Sequence, residues 1–240
     1  MALEAIIFDV DGTLAETENA HLRAFNETFR AINLGWEWDE ALYEQLLKTT
    51  GGKERMKAYA DSIGQEMTAA TLADLHQRKT RAYTGLIARR EIALRPGIAD
   101  LIADAKARGL KLAIATTTNR PNVDALIEAT LDRPATEVFD VIVAGDEVPK
   151  KKPAPDVYLA VLQQLGLPAE NCVALEDSRN GLRSATAAGI ATVISPGRYT
   201  LAEDFTGAAA IIPSFDQVAT VSALSDLLHR RATAQPPGSH

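Results

Sequence analysis

The chain has little cysteine, few aromatic residues and no long apolar run. Cys172 is the only cysteine among 240 residues, so an internal disulfide is excluded and a reducing compartment is indicated. No apolar run approaches the roughly 20 residues of a membrane span. Glu4 precedes the first apolar stretch and no basic leader is present, which predicts no signal peptide. We therefore expect a cytoplasmic protein without a membrane partner, and a buried, inert Cys172.

The chain also lacks an excess of positive charge. It has 25 Lys and Arg against 32 Asp and Glu, a formal net charge of −7. This balance argues against non-specific binding of nucleic acid, and an anionic substrate would need local basic groups. No long apolar surface is evident, so a monomer is expected.

Short apolar runs do occur, and each is followed by a helical pattern. The predicted strands are 4–9, 110–116, 139–144, 171–175 and 191–194, with a weaker run at 209–212. A helical pattern over 96–108 stops at Gly109, and Pro121 and Pro155 occupy positions typical of first helical turns. The alternation predicts an α/β fold with a Rossmann-like, doubly wound parallel sheet.

The strand pattern disappears between residues 15 and 94. Helical spacing there is carried by Leu22, Phe25, Phe29 and Ile32, and again by Leu72, Leu75 and Lys79. The predicted domains are a catalytic core of 1–14 and 95–231, an all-helical cap of 15–94 inserted after the first strand, and a disordered tail of 232–240. Trp36 and Trp38 are interpreted as packing within the cap rather than stacking on a substrate.

The most informative segment is Asp9-Val10-Asp11-Gly12-Thr13, directly after the first apolar run. A buried strand before it would deliver Asp9 and Asp11 to one edge of the sheet, because alternate residues share a face. Two carboxylates this close repel unless a cation lies between them, and a hard divalent cation prefers oxygen ligands. Gly12 lets the chain turn sharply past the pair.

Polar residues also follow the next three predicted strands. Thr116-Thr117-Thr118-Asn119 follows the second strand, although loop capping alone could explain each of these side chains. Lys152 stands immediately before a rigid Pro-x-Pro segment, which favours a positioned charge over a solvated lysine run. Glu176 and Asp177 end the fourth strand, where carboxylates have no packing role.

In this order the four motifs resemble the haloacid dehalogenase-like phosphatase superfamily across essentially the whole chain. The helical insertion resembles the subgroup that contains β-phosphoglucomutase and the CbbY proteins, and the segment 49–56 is similar to the CbbY proteins. That resemblance implies a Mg²⁺-dependent phosphatase of the Calvin cycle that converts xylulose 1,5-bisphosphate, an inhibitory by-product of Rubisco, to xylulose 5-phosphate. The chemistry of the residues alone predicts only phosphoryl transfer, and the identity of the sugar comes from the resemblance.

The resemblance also implies roles for the residues of the motifs. Asp9 would attack phosphorus and form an aspartyl-phosphate, and Asp11 would act as acid and then as base. Thr116 and Lys152 would neutralise the phosphoryl oxygens. The expected ligands of Mg²⁺ are Asp9, Asp11 and Asp177. Glu176 is expected to be either a further ligand or a residue that contacts the ligands.

A bisphosphate substrate requires a second anion site. Gly51-Gly52-Lys53 can expose backbone N–H groups at a helix start, and Lys53 and Arg55 add positive charge. A flexible turn with solvated charges is the other interpretation of this segment. The remaining candidate substrate contacts are Thr50, Thr117, Thr118, Asn119, Arg120 and Lys79.

Two other functions stay open. Thr17 and His21 match positions that accompany the reaction of the β-phosphoglucomutase relatives, so a phosphosugar mutase is the first alternative; His21 could equally be a polar helix residue near the hinge. A phospho-acceptor or metabolite-binding module without turnover is the second alternative. Asp11 argues against it, because such modules lack a second aspartate two residues after the acceptor.

Overall fold

A parallel β-sheet forms the centre of the fold. In the computed structural model, which describes residues 3–234 and the side chains of residues 3–230, the strands are β1 (Ala5–Phe8), β2 (Lys111–Ala115), β3 (Val141–Val143), β4 (Cys172–Glu176), β5 (Ala191–Ile194) and β6 (Ala210–Ile211). Their order is β3-β2-β1-β4-β5-β6, and all neighbours are parallel. This confirms the predicted Rossmann-like fold. Each strand lies within its predicted range except β4, which continues to Glu176.

Helices surround the sheet and fill the segment where no strand was predicted. They are α1 (Glu18–Ala31), α2 (Glu40–Leu46), α3 (Gly52–Ser62), α4 (Ala69–Ile87), α5 (Ile98–Ala107), α6 (Arg120–Leu131), α7 (Ala135–Val138), α8 (Asp156–Leu165), α9 (Arg179–Ala187) and α10 (Val221–Ala234). We call α1 to α4 the cap helices. Among the helices of the described chain, we find none with the length and apolar character that crossing a membrane requires.

Local sequence signals account for several helix ends. Asn119 caps α6, its side chain accepting a hydrogen bond from the backbone N–H of Asn122 at 3.1 Å, and Pro121 lies in the first turn as predicted. Gly109 follows α5 at a φ of 76°, which a residue with a side chain rarely adopts. Pro155 was expected inside the first turn of α8, but it lies at the N-cap, just before the helix.

The C-terminal helix corrects one predicted boundary. Helix α10 continues to Ala234, so the first residues of the predicted disordered tail, 232–234, are helical. The remaining residues of that tail, 235–240, lie outside the described residues.

The two faces of the sheet pack against different helices. Ile6 and Phe8 of β1 belong to a cluster with residues of α5, α6 and α10, whereas Ala5 and Ile7 belong to a cluster with residues of α8 and α9. Successive side chains of a strand point to opposite faces, so β1 is covered on both sides. Because all the strands are parallel, their carboxyl ends meet at one edge of the sheet, with β1 near its centre.

The cap helices have an apolar cluster of their own, rich in aromatic rings. Trp38 has 1% of its surface exposed and packs against the rings of Phe25 and Phe29 at centroid distances of 4.8 and 5.0 Å. Asn26 fixes this turn, because its side chain bonds both the backbone N–H and the backbone carbonyl of Trp38. Trp36 is also buried in the cluster. The interpretation of both tryptophans as packing residues agrees with this burial, while the domain bounds 15–94 stay a prediction.

Replacing Phe29 by Ala should destabilise the cap helices, because the ring is fully buried among Phe25, Trp36 and Trp38. We expect a loss of about 3–5 kcal/mol in the free energy of unfolding. Urea titrations followed by tryptophan fluorescence measure it, since both tryptophans lie in this cluster. Ile114→Val in β2, expected to cost only about 0.5–1.5 kcal/mol, is the control. A Phe29→Ala loss below that of the control would contradict the packing described.

Candidate active site

A buried lysine joins the ends of three strands, β1, β2 and β4, at the carboxyl edge of the sheet. Lys152 Nζ donates hydrogen bonds to Asp9 Oδ1 at 2.6 Å, to Glu176 Oε1 at 2.6 Å and to the carbonyl of Ala115 at 2.8 Å. These acceptors use all three N–H groups of an ammonium. Burial lowers the pKa of Lys152, but the adjacent Asp9 and Glu176 outweigh it and the pKa is raised. The charge predicted at this position is therefore fixed in place and permanent.

Tyr158, which the sequence analysis did not select, supports this lysine from α8. Its hydroxyl donates a hydrogen bond to Glu176 Oε1 at 2.7 Å, and Lys152 Nζ lies 5.1 Å from the centre of its ring. The ring is fully buried. A tyrosine in the first turn of an apolar helix resembles any core residue, so the sequence offers no signal for this contact.

Three carboxylates at this edge form a candidate metal centre. Oxygens of Asp9, Glu176 and Asp177 lie within 4.8 Å of one another. Burial raises the pKa of Asp9 to about 7 and that of Asp177 well above its usual value, with neighbouring carboxylates reinforcing both shifts. Glu176 Oε2 is buried and has no hydrogen-bond partner among the described residues. An unpartnered oxygen beside two more carboxylates and a single ammonium fits a divalent cation such as Mg²⁺.

Asp11 faces the cap rather than this centre. Its Oδ1 accepts hydrogen bonds from the Thr17 hydroxyl and from His21 Nε2, the latter at 3.0 Å. On the far side of the imidazole, Lys79 Nζ lies 2.6 Å from His21 Nδ1. The predicted residues Thr17, His21 and Lys79 are thus brought together around Asp11, and its carboxylate is not part of the three-carboxylate cluster.

The charges of this chain of contacts are unusual. Burial and the charge of Lys79 lower the pKa of His21 to about 4, so the ring is neutral at pH 7. A neutral ring that accepts from Lys79 at Nδ1 donates from Nε2 to Asp11. Burial also lowers the pKa of Lys79 to about 7. Burial raises the pKa of Asp11, but the contacts with His21 and Thr17 outweigh this and hold it below its usual value.

A cavity of about 350 Å³ lies between the cap helices and the sheet edge. The predicted residues that line it are Asp9, Asp11, His21, Thr50, Gly51, Gly52, Arg55, Lys79, Thr117, Thr118, Asn119, Lys152 and Asp177. Residues of both predicted domains therefore face one space.

Other predicted site residues lie outside the lining. Lys53 Nζ pairs with Asp146 of the core at 3.2 Å, and Arg120 Nε pairs with Asp124 of its own helix at 3.0 Å. Thr116 is buried, and its hydroxyl accepts a hydrogen bond from the backbone N–H of Thr118. Thr17 and Glu176 are also outside the lining, where they contact the lining residues Asp11 and Lys152. For Lys53 and Arg120 the structure gives an ion pair where the sequence suggested a substrate contact.

The lining also includes residues that the sequence analysis did not select, notably Glu18, Tyr43, His76, Asn180, Tyr199 and Thr200. Glu18 could have been found, because it precedes His21 by three positions on α1 and so lies on the same face of the helix. Burial, reinforced by Asp11, raises its pKa to about 8. The distant residues Tyr199 and Thr200 carry no such signal.

Polar contacts between the cap helices and the core surround the cavity. Lys151 Nζ lies 3.1 Å from Glu54 Oε2, and Arg198 Nη2 lies 2.9 Å from Glu40 Oε2. The Asn119 amide donates a hydrogen bond to the Thr80 hydroxyl at 2.7 Å. We call these three contacts the rim contacts.

Comparison with known proteins now identifies the family. A family model described as haloacid dehalogenase-like hydrolase matches residues 3–189. The chain belongs to the haloacid dehalogenase-like hydrolases. Protein CbbY of Rhodobacter capsulatus is 56% identical over 220 residues, which cover 92% of this chain and 97% of that protein.

Solved structures agree with this assignment of the hydrolase. CbbY from Rhodobacter sphaeroides in complex with phosphate is 52% identical, with a TM-score of 0.90 over 93% of this chain and 99% of that one. A mutant of the same CbbY in complex with xylulose 1,5-bisphosphate has a TM-score of 0.90 and 52% identity over 92% of this chain and 99% of that one. The predicted CbbY-type subgroup of the haloacid dehalogenase-like hydrolases is confirmed.

Replacing Lys79 by Met should change how stability depends on pH. The pKa of Lys79 is lowered from 10.5 to about 7, so between these values the unfolded hydrolase binds a proton that the folded hydrolase does not. This group therefore makes the free energy of unfolding rise with pH, by at most about 1.4 kcal/mol per pH unit. Lys79→Met should remove that rise.

Urea titrations between pH 7 and pH 9 measure the slope. Lys57→Met is the matched control, because Lys57 is exposed on α3 and pairs with Asp61. A Lys79→Met slope equal to that of the control and of the unchanged protein would show that burial does not perturb Lys79.

Proposed function

We propose that the protein is a Mg²⁺-dependent sugar-phosphate phosphatase that hydrolyses xylulose 1,5-bisphosphate to xylulose 5-phosphate and phosphate. The observation that carries this proposal is the position of Asp9, a buried carboxylate held by Lys152 at the edge of β1 and facing the same cavity as Asp11. Similarity to a structure with bound xylulose 1,5-bisphosphate supports the sugar. Removal of this inhibitor of Rubisco would be the biological role.

In the first step a carboxylate oxygen of Asp9 attacks phosphorus, and the bond between phosphorus and the sugar oxygen breaks. Asp11 must be protonated when this step begins, although its contacts with His21 and Thr17 favour the ionised form, and it gives that proton to the departing sugar oxygen. Such acid catalysis contributes roughly 10²–10⁴ in rate. The phosphoryl group is then an acyl phosphate on Asp9, and Asp11 is ionised. Lys152, whose charge is permanent, offsets the negative charge around Asp9 throughout.

In the second step a water attacks the same phosphorus atom. Asp11 accepts the proton of this water, the bond from phosphorus to the Asp9 oxygen breaks, and both carboxyl groups return to their first state. The hydrogen bonds from Thr17 and His21 favour the ionised Asp11 that this step requires. One pair of aspartates thus divides the labour of nucleophile and acid–base group.

We propose that Asp9, Glu176 and Asp177 hold Mg²⁺, with the backbone carbonyl of Asp11 as a further ligand. The bound ion supplies positive charge close to the phosphoryl oxygens, which reduces the repulsion between an anionic substrate and an anionic nucleophile. The unpartnered oxygen of Glu176 supports this assignment.

The distribution of charge across the cavity favours a substrate with two phosphates. The acidic cluster lies on the core side. The cap side is lined by Lys48, Arg55, Lys79 and the start of α3 at Gly52, and its three basic side chains outnumber its acidic ones, Glu18 and Glu44. Arg55 uses three N–H groups on Tyr43 and on two backbone carbonyls of the cap. A guanidinium has five such groups, so the contacts within the described part of the chain leave two N–H groups of Arg55 available to bind a phosphate.

A phosphosugar mutase is the second candidate, and one observation favours it. Thr17 and His21 both contact Asp11, and they match positions linked to the mutase reaction. In a mutase the phosphoryl group of Asp9 would pass to a sugar hydroxyl instead of water, with Asp11 as the base in both cases. The product of the reaction therefore distinguishes the two functions.

The phosphatase proposal predicts release of inorganic phosphate from xylulose 1,5-bisphosphate, faster than from ribulose 1,5-bisphosphate or β-glucose 1-phosphate. Phosphate release in the presence of Mg²⁺ is measured, and EDTA should abolish it. Asp9→Asn should abolish turnover while far-UV circular dichroism stays unchanged, because the amide is not a nucleophile. Isomerisation of β-glucose 1-phosphate without phosphate release would establish the mutase instead, and absence of any turnover would favour a binding module.

A second prediction concerns the cap side of the cavity. Arg55→Lys keeps the charge but loses the planar set of donors, so KM for the bisphosphate should rise about tenfold or more. KM for a monophosphorylated sugar should change far less. Lys53→Ala is the matched control, because Lys53 lies outside the lining and pairs with Asp146. Equal increases for both substrates in Arg55→Lys would exclude Arg55 as a contact of the second phosphate.

A further inference from the structure

Arg95 lies on the segment that returns from α4 to α5, and its side chain is only 10% exposed. Its guanidinium donates to three backbone carbonyls. One belongs to Gly12, and the other two belong to Ser195 at 2.8 Å and Pro196 at 3.2 Å. It also donates to the Ser195 hydroxyl at 2.7 Å. A charged group has thus been placed among backbone atoms of segments far apart in the chain.

Two of these segments form the walls around Asp177. A Cβ added at Gly12 would collide with Asp177 Oδ2, and a Cβ at Gly197 would lie 3.1 Å from the same oxygen. Gly12 also has a φ of 82°, a conformation that residues with side chains rarely adopt. The carboxylate of Asp177 therefore sits against backbone on two sides. Arg95 binds Gly12 itself and the two residues that precede Gly197.

We infer that Arg95 is a positioning residue for Asp177, an inference that rests on the proposed role of Asp177 as a metal ligand. One planar group fixes the loop that follows β1 and the loop that follows β5, and the spacing between these loops sets the place of the carboxylate. The Asp177 contact with Thr200, whose hydroxyl lies 3.3 Å from Oδ2, belongs to the same loop after β5.

Arg95 also links the two chain segments that connect the core with the cap helices. The backbone N–H of Arg95 donates to the carbonyl of Leu14 at 2.8 Å, and its Nε lies 3.6 Å from Glu16 Oε1. Leu14 and Glu16 belong to the segment that leaves β1 for the cap helices, and Arg95 belongs to the segment that returns. The position of Asp177 is thereby linked to the point where the cap helices join the core.

The chemistry of this contact set requires an arginine. The guanidinium offers five donors in a rigid plane, whereas a lysine ammonium is a point charge with three donors at the end of a flexible stem. Arg95 also packs its guanidinium over the ring of Phe215, at 5.1 Å from the centroid. A lysine would keep the charge and lose the fixed spacing of the two loops.

Arg95→Lys tests the inference through Mg²⁺ binding measured by isothermal calorimetry, without substrate. We expect the dissociation constant for Mg²⁺ to rise about tenfold or more, since partners of metal ligands typically contribute 10–100-fold. At fixed Mg²⁺, kcat should fall and KM for the sugar phosphate should stay within about twofold. Arg108→Lys is the matched control, because Arg108 is half exposed, lies directly after α5 and pairs with Asp104 of that helix.

Gly197→Ala provides an independent route to the same carboxylate. The added Cβ would press on Asp177 from the side of the β5 loop. The double variant Arg95→Lys, Gly197→Ala should lose less Mg²⁺ affinity than the product of the two single losses, because both changes displace one group. Thermal melts of each variant confirm that the assays are made on folded protein.

Unchanged Mg²⁺ affinity in folded Arg95→Lys, or losses that multiply in the double variant, would overturn the inference. Failure of the proposed function is recognised separately. If the unchanged protein releases no phosphate from any sugar phosphate, yet Mg²⁺ affinity responds to Arg95 and Gly197 as expected, the positioning role stands and the phosphatase does not.

Discussion

The site depends on one buried ammonium. Lys152 lies between the carboxylates at the ends of β1 and β4. Its hydrogen bonds to Asp9 and Glu176 offset the repulsion between these two neighbouring carboxylates. Removing one partner of such a buried pair typically costs about 3–5 kcal/mol, because the other charge is left uncompensated. Two other features of the site depend on this lysine. Tyr158 donates a hydrogen bond to the same oxygen of Glu176, and the three carboxylates exceed the single charge of Lys152, which suits a bound cation.

Much of this centre could be predicted from sequence, for a physical reason. Parallel strands place their carboxyl ends at one edge, so a polar residue at the end of each apolar run is brought to that edge whatever the helices between them do. Asp9 and Asp177 were selected in this way, and Lys152 was selected because it precedes a rigid Pro-x-Pro segment. All three meet at this edge. Strands β1 to β5 were recognisable because most of their residues are buried, which gives a short continuous apolar run. The edge strand β6, whose Ile211 is half exposed, gave only a weaker run.

The contacts that refine the site could not be predicted from sequence. Tyr158 and Arg95 have no local signature, since their partners are brought close only by the tertiary fold. Charge patterns were also ambiguous. Lys53 beside two glycines suggests an anion site, but its pairing with Asp146, distant in the chain, decides its position. Local pattern thus locates the reacting groups, whereas packing decides which neighbouring charges reach them.

The rim contacts have a consequence for how a product leaves. Lys151 with Glu54, and Arg198 with Glu40, are pairs between partly exposed groups, and such pairs are typically worth only about 0–1 kcal/mol each. Separation at these two pairs would leave the main apolar clusters of the cap and of the sheet intact, because those clusters are distinct. The smaller cluster in which Tyr83, Leu86 and Ile87 of α4 pack with Ala125 and Ala129 of α6 would still join the cap helices to the core. Release of a product therefore requires little energy to break the rim contacts. This release should become faster as ionic strength rises, because salt screens these ion pairs.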